Sequence, residues 1–357
     1  MRLVSPVLKR VVYPCLSRTG YLRGRANGGD LCVVTYHGVL PAGYEVTDAN
    51  QDGGLLSAEQ FRRQLHLLKS RYHVVSPEQV LDWVANGREL PKRSVLLTCD
   101  DGLLNGLTDM VPVLREENLS CLFFVLAAST AQTSQRLWYE DLYLALIGAP
   151  QGTFSFAKFG ITIELNKTTQ RRTLWWKLLR QLSQFDPIER AAFLEAARTQ
   201  FGLDQSRDTE FANSEARRRR FCLLNLDELR QLVDHGMCIG SHTLDHPVLS
   251  QQSSELAWRE ISESRSALEN ALGKRVWSLA YPFGDPASVT DREWQMAEQA
   301  GFQCAFMNVG GGFGAELPRF SIPRVHVTAQ MNLAEFEAHV SGFHGALRAC
   351  LPGGNSN

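Results

Sequence analysis

Two short stretches of this 357-residue sequence hold side chains that commonly carry out hydrolysis. In the first, Asp100 and Asp101 follow an apolar, strand-like run. Because neighbouring residues on an extended chain point in opposite directions, a bend at Gly102 is needed to bring both carboxylates into one pocket. One carboxylate could then coordinate a metal ion while the other takes a proton from water. Taken alone, an Asp-Asp pair is more often a solvated loop that caps the next helix.

The second stretch places His242 and His246 four residues apart, directly after the strand-like run 238–240. If the loop makes a helical turn, this spacing lets two imidazoles converge on one cation. Two His ligands and one Asp leave coordination positions open for water and substrate, which is the pattern of a catalytic site. A lone H-x-x-x-H pair occurs often by chance. Its combination with the Asp-Asp strand end predicts a metal-dependent hydrolytic site.

The elements that would position these residues alternate between strand-like and helix-like patterns. This alternation predicts parallel strands with helical crossovers, in either a barrel or a doubly wound sheet. Polar and charged residues recur at the C-terminal ends of the strands, where barrel enzymes carry their active sites. Strand-like runs occur near residues 31–36, 74–75, 94–98, 121–126, 238–240, 276–280, 304–307 and 322–327.

One region interrupts the alternation and suggests how the chain is divided. Residues 131–220 hold a hairpin-like segment and a basic, aromatic helix, which predicts an insertion that forms a lid or subdomain. Residues 31–130 and 221–345 would then form the catalytic domain. Residues 346–357 read as a flexible tail.

Composition excludes several classes of protein. The 37 basic and 38 acidic side chains nearly cancel, so no overall field would recruit nucleic acid. Eight scattered cysteines form no C-x-x-C pair, which favours buried thiols in a reducing compartment. We therefore expect a cytoplasmic protein without a signal peptide or a transmembrane span.

The first segment, residues 1–30, is basic and amphipathic. Two interpretations remain open for it. It could contact the inner face of an anionic membrane peripherally, or it could pack on the domain as a solvated helix.

Three motifs resemble those of the polysaccharide deacetylase family, also known as carbohydrate esterase family four. The family's T-F-D-D-G motif appears as Thr98–Gly102, with Cys99 in place of Phe. Its H-[ST]-x-x-H motif is matched in full by His242–His246, and its R-x-P-[YF]-G motif appears as Ala280–Gly284 without the arginine. The start of the domain, Val34–Gly38, resembles the poly-N-acetylglucosamine deacetylase branch in particular.

The resemblance implies a fold and a set of roles. The fold would be a deformed (β/α) barrel with an inserted subdomain. Zinc, or alternatively cobalt or nickel, would be held by Asp101, His242 and His246, and Asp100 would be the general base. The backbone amide of Phe283 would stabilise the oxyanion, with Tyr281 beside it.

The two departures from the family pattern leave further candidates. Since Ala280 replaces the arginine that usually orients the base, Arg319 or Arg324 could supply that support. The general acid could be His37 or His326, and we favour His37 because it closes a strand. Within the insertion, Trp138 and Glu140 are the candidate substrate contacts.

The expected reaction is metal-dependent removal of an N-acetyl group from a sugar, with release of acetate. The substrate would be a polysaccharide or a lipid-linked glycan. Two alternatives remain: an amidohydrolase acting on a non-sugar amide or imide, and an inactive carbohydrate-binding relative. The sequence leaves the oligomeric state open.

Overall fold

The computed structural model describes residues 5–26, 31–46, 52–132, 135–166, 171–203 and 214–350. Most of the predicted tail, from residue 351 onward, therefore lies outside the described residues, as do residues 1–4 and 27–30 of the predicted N-terminal segment. Within these ranges the strands are β1 Leu31–Tyr36, β2 His73–Val75, β3 Ser94–Cys99, β4 Leu122–Val125, β5 Gly152–Phe156, β6 Ile161–Leu165, β7 Cys238–Ser241, β8 Ser278–Ala280, β9 Cys304–Gly310 and β10 Ile322–His326.

Helices connect these strands at the positions that the sequence pattern predicts. The helix after β1 begins at a Ser57 capping box, in which the Ser57 hydroxyl accepts from the amide of Gln60. The α-helices of the described residues are α1 Tyr13–Arg18, α2 Tyr21–Arg25, α3 Ala58–Arg71, α4 Pro77–Asn86, α5 Val111–Glu116, α6 Trp138–Gly148, α7 Arg171–Leu182, α8 Pro187–Gln200, α9 Glu215–Phe221, α10 Leu226–Asp234, α11 Ser254–Leu272, α12 Asp291–Gln299, α13 Leu333–Val340 and α14 Phe343–Ala349. None of the described helices combines the length and apolar character that a membrane span needs.

Seven parallel strands close into a barrel in the order β1, β10, β9, β8, β7, β4, β3. The ring closes because β3 pairs with β1 along its whole length. The short β2 pairs with the first half of β3, whereas β4 pairs only with its end. This uneven pairing deforms the barrel and confirms the predicted (β/α) fold.

Alternation along the strands divides their side chains between two packed layers. One set of positions packs against the surrounding helices, as Val34, Leu97 and Phe123 do. The other set points into the barrel. Phe124 on β4 and Phe306 on β9 belong to strands that are not neighbours, yet their rings lie 5.3 Å apart.

The barrel interior leaves little free space near these two rings. A side chain at Gly240 on β7 would put its Cβ within 2.5 Å of the Phe124 ring, so this strand position requires glycine. The two rings form an apolar layer inside the barrel, before the C-terminal ends of the strands. Polar residues at the next inward-facing positions therefore meet at those C-terminal ends.

The inserted region has a core of its own. Strands β5 and β6 form an antiparallel hairpin, and helices α6, α7 and α8 pack with it around buried residues such as Leu146, Ile163 and Phe193. Phe283, from the loop after β8, packs at the edge of this cluster. The insertion therefore contacts the barrel at the C-terminal ends of its strands.

Candidate active site

Three side chains at the end of the barrel converge on one point. An Oδ1 oxygen of Asp101 lies 3.5 Å from Nε2 of His242 and 3.5 Å from Nε2 of His246. The three donor atoms all lie within 4.8 Å of one another, and all three residues are buried. The Nδ1 atom of His242 is 2.7 Å from the Ala280 carbonyl oxygen, to which it donates, so Nε2 carries the free lone pair.

The backbone takes a rare conformation at these positions. Asp101 has a φ of 72°, followed by Gly102 at 69°, which is the bend that the sequence requires if both acids are to share a pocket. Thr243 at 69° and His246 at 55° are also left-handed. Non-glycine residues rarely adopt this region, and such strained residues cluster at functional sites.

Asp100 is held by a buried arginine. Two nitrogens of Arg324 lie 2.7 and 2.6 Å from the two carboxylate oxygens of Asp100, which is a bidentate pair. The guanidinium also donates to the Met307 carbonyl and to the Thr98 hydroxyl. Burial is the largest influence and raises the pKa of Asp100, but the charge and hydrogen bonds of Arg324, together with the nearby His242 and His37, keep that pKa below its ordinary value. Asp100 is therefore ionised and fixed in orientation.

Two histidines lie beside this pair. The rings of His37 and His326 are 4.8 Å apart, at the ends of the adjacent strands β1 and β10. Burial, followed by the nearby His37, lowers the pKa of His326 to about 3. The side-chain amide of Asn308, on β9, contacts Nδ1 of His326 at 2.9 Å. The Nδ1 atom of His37 is buried and has no hydrogen-bond partner among the described residues.

Comparison with known proteins shows a family similarity for part of this chain. The sequence profile of the polysaccharide deacetylases matches residues 197–305, which include His242 and His246 but not Asp100 or Asp101. Residues 197–305 are thus similar to the polysaccharide deacetylase family. A curated relative, the putative polysaccharide deacetylase YxkH of Bacillus subtilis, is 23% identical over 117 residues. That alignment covers 33% of this chain and 41% of the relative, so less than half of the relative's length is spanned.

Solved structures show the fold over nearly the whole chain. IcaB from Ammonifex degensii superposes with a TM-score of 0.54 at 18% identity, covering 88% of this chain and 98% of IcaB. The Streptococcus pyogenes deacetylase PplD, in complex with acetate, gives a TM-score of 0.53 at 16% identity, covering 87% and 97% of the two chains. The arrangement of the barrel thus matches that of IcaB and PplD.

The clearest departure from the family motifs is the absence of the arginine in the third motif. Ala280, which stands at the usual arginine position, is buried in the barrel interior together with Phe124 and Phe306. The guanidinium of Arg324 lies 5.5 Å from the centre of the Phe124 ring, in that same interior. An arginine on β10 therefore contacts Asp100 in this chain. Arg319, the other candidate, lies at the surface and donates to Gln303 instead.

The loop that carries the two histidines is held from both sides. On the barrel side, one carboxylate oxygen of Glu260, on α11, accepts from the amides of Leu244 and Asp245 at 2.9 and 3.0 Å. On the side of the insertion, the indole of Trp138 donates to the His246 carbonyl at 3.0 Å. These contacts fix the strained turn that aims both imidazoles at Asp101.

A second contact from the insertion reaches the same loop. Arg190, on α8, donates to the Asp245 carbonyl at 3.4 Å and stacks over the Trp138 ring at 4.6 Å. The rings of Tyr139 and Phe283 lie beside His246, with ring centres 5.2 and 4.9 Å from it. Aromatic rings from the insertion and from the loop after β8 therefore flank this histidine.

Two other candidate contacts are buried and are paired with residues outside the candidate metal cluster. Tyr281 is buried, and its hydroxyl donates to the Phe320 carbonyl at 3.0 Å. Glu140 is also buried, and one of its oxygens lies 3.1 Å from Arg220. Arg220 additionally contacts Asp52 at 2.6 Å, so it joins the loop after β1 to the insertion.

Several residues of the site were not singled out from the sequence. Strand alternation could have found Asn308, since it stands two positions after the inward-facing Phe306 on β9. Glu260 lies within a helix that otherwise reads as ordinary and amphipathic, and Arg190 and Arg220 lie in the insertion. No local pattern indicates that these three residues reach the catalytic end.

Proposed function

We propose that this chain removes an acetyl group from the nitrogen of an N-acetylated sugar by hydrolysis, releasing acetate. The observation that carries the proposal is a candidate metal site with a fixed carboxylate beside it. Asp101, His242 and His246 form a three-donor cluster, and the ionised Asp100 is fixed beside it by Arg324. Amide hydrolysis needs both an electrophilic centre and a base next to it.

The donor set fits a divalent cation, most naturally zinc, with cobalt or nickel as alternatives. Two imidazoles and one carboxylate are a ligand set used by catalytic zinc sites, and their burial favours binding over hydration. A cation bound there would polarise an amide carbonyl and lower the pKa of water. Residues 131–220 would act as the lid over this site and residues 31–130 with 221–345 as the catalytic domain.

The side chains of this protein would divide the remaining work. Asp100 would accept the proton of the attacking water, because Arg324 keeps it ionised and aimed. The backbone amide of Phe283, whose φ is 59°, would donate to the developing oxyanion. Trp138 would support the histidine loop rather than contact the sugar directly.

We assign the general acid to His37 rather than His326. His326 has a pKa lowered to about 3, so it is neutral at ordinary pH, and its Nδ1 is engaged by Asn308. Replacing His37 with Ala is expected to lower kcat by about 10²- to 10⁴-fold, the usual contribution of acid–base help. His326→Ala should cost less. A larger loss in His326→Ala than in His37→Ala would instead assign the role of the acid to His326.

The reaction is tested by mass spectrometry of N-acetylglucosamine oligomers and of lipid-linked N-acetylated glycans, incubated with zinc-loaded protein. Loss of one acetyl mass with release of acetate is expected. Asp100→Asn should abolish the reaction while zinc binding, measured by calorimetry, persists. Turnover by this variant near the rate of the unaltered protein would remove Asp100 from the mechanism.

The same assay separates the alternatives. Hydrolysis of simple amides or cyclic imides without acetate release from sugars would indicate an amidohydrolase. Sugar binding without turnover would indicate an inactive relative. The expected cytoplasmic location and the choice between a polymeric and a lipid-linked substrate stay predictions.

A further inference from the structure

The N-terminal helical segment packs on the barrel with one face only. Leu8, Val12 and Leu16 contact the buried pair formed by Tyr13 and Leu22. Polar contacts hold the same face. Lys9 lies 2.9 Å from Glu335, the Tyr13 hydroxyl is 2.7 Å from Nδ1 of His344, and the Ser17 hydroxyl donates to Glu337 at 2.5 Å. The segment is therefore anchored on α13 and α14.

The opposite face is also apolar, although it is exposed. Val7 and Val11, one turn apart, are 63% and 61% exposed. Arg10 and Arg18 flank them on this face and are exposed as well. An ordinary surface helix would carry polar residues there. Exposed valines between arginines indicate a surface that binds another molecule.

The pattern continues beyond the turn at Gly20. Tyr21 is 50% exposed, and Arg23 and Arg25 are exposed around it. The sequence has no acidic residue before Asp30. None of Arg10, Arg18, Arg23 and Arg25 forms an ion pair with a described residue, whereas Lys9, on the inner face, is paired. We call the surface formed by Val7, Arg10, Val11, Arg18, Tyr21, Arg23 and Arg25 the basic face.

We propose that the basic face docks on the surface of an anionic lipid bilayer. Arginines that lack carboxylate partners would pair with lipid phosphates, and the valines and Tyr21 would enter the boundary between headgroups and acyl chains. A second copy of the chain is a poorer occupant, because its own basic face would oppose arginine with arginine. The proposal does not depend on the proposed function.

The basic face begins at the catalytic end of the barrel. The side-chain amide of Asn332 donates to the Lys9 carbonyl at 3.0 Å, and the Lys9 ammonium donates to the Gln330 carbonyl. Both partners belong to the loop that follows His326 at the end of β10. Docking would therefore bring the rim of the active site close to the lipid surface, where a substrate with a lipid anchor is within reach.

The test is co-sedimentation of the full chain with vesicles. One set contains phosphatidylcholine alone and the other a mixture of phosphatidylcholine and phosphatidylglycerol. Binding is expected to the mixed vesicles only, and to weaken as salt increases. The double variant Arg10→Gln/Arg18→Gln should lower the partition constant about 30-fold, taking the usual contribution of each basic residue near an anionic surface.

A second double variant, Val7→Ser/Val11→Ser, tests the apolar part and should also weaken binding. Matched controls are Arg88→Gln/Arg230→Gln and Ile147→Ser/Ile188→Ser, which change exposed residues on other surfaces. Thermal unfolding of every variant should match that of the unaltered protein, since all the changed side chains are exposed.

Three results would overturn the proposal. The first is the absence of sedimentation with mixed vesicles, and the second is equal loss of binding in the control variants. The third is a dimer in analytical ultracentrifugation that Val7→Ser/Val11→Ser dissociates, which would assign the basic face to a second copy.

Discussion

The two halves of the active site are supported in different ways. On one side, Asp100 is fixed by Arg324, and both come from the barrel's own strand ends. On the other side, the loop carrying His242 and His246 is held by Glu260 from a barrel helix and by Trp138 from the insertion. The candidate base Asp100 is therefore held by the barrel, whereas the candidate metal loop is held by the insertion as well.

This difference indicates how the site can vary. An arginine on a strand is positioned by the ladder of backbone hydrogen bonds, so its contact with Asp100 is stiff and local. The histidine loop has left-handed residues at Thr243 and His246, which persist only when surrounding contacts enforce them. Changes in the insertion should therefore alter metal affinity. Changes in strand residues such as Arg324 should instead alter the orientation of Asp100.

The largest effect is expected from breaking the pair of Asp100 and Arg324. Replacing Arg324 with Met leaves a buried carboxylate without its partner, and such changes cost about 3–5 kcal/mol of unfolding free energy. The measurement is urea unfolding followed by circular dichroism. Asp100→Asn/Arg324→Met should recover most of the loss, because it also removes the buried charge. A double variant that is no more stable than Arg324→Met would show that the pair is not what stabilises this side.

An intermediate effect is expected at the link between the insertion and the loop. Trp138→Phe keeps the ring but removes the donor to the His246 carbonyl. Residues that support metal ligands typically change affinity by about 10- to 100-fold, and we expect zinc affinity to fall towards the lower end of that range. Calorimetric titration with zinc measures it. Trp176→Phe, which changes an exposed indole of the same insertion, is the control and should leave affinity unchanged.

The smallest effect concerns the barrel-side support. Burial, followed by the nearby Asp245, raises the pKa of Glu260 from 4.5 to about 7. A raised carboxyl pKa in the folded state stabilises the protein at low pH, and that contribution is lost as pH rises through about 7. Because Glu260→Gln cannot ionise, its unfolding temperature should rise relative to that of the unaltered protein as the pH increases from 5 to 8, values that bracket roughly this transition. Parallel pH curves would place the pKa of Glu260 outside this interval.

Much of the barrel could be predicted from the sequence, because its strands are short apolar runs and its helices begin at capping boxes such as that of Ser57. The placement of Asp100 and His242 at strand ends follows from the same pattern. The sequence could not decide whether Arg324 or Arg319 contacts Asp100, because the choice depends on which position in the barrel interior has room for a guanidinium. The contacts of Trp138 depend on how the insertion docks, which no local pattern encodes.

Arg220 has a consequence for the order in which the protein assembles. It joins Asp52, 168 residues earlier in the chain, to Glu140 in the first helix of the insertion. The contact between Asp52 and Arg220 therefore cannot form until the chain between them, including the insertion, has been made. Contacts between residues so distant in sequence form slowly, because the intervening chain must first be ordered. We expect the catalytic end of the barrel to become protected from hydrogen exchange later than the strands beneath it.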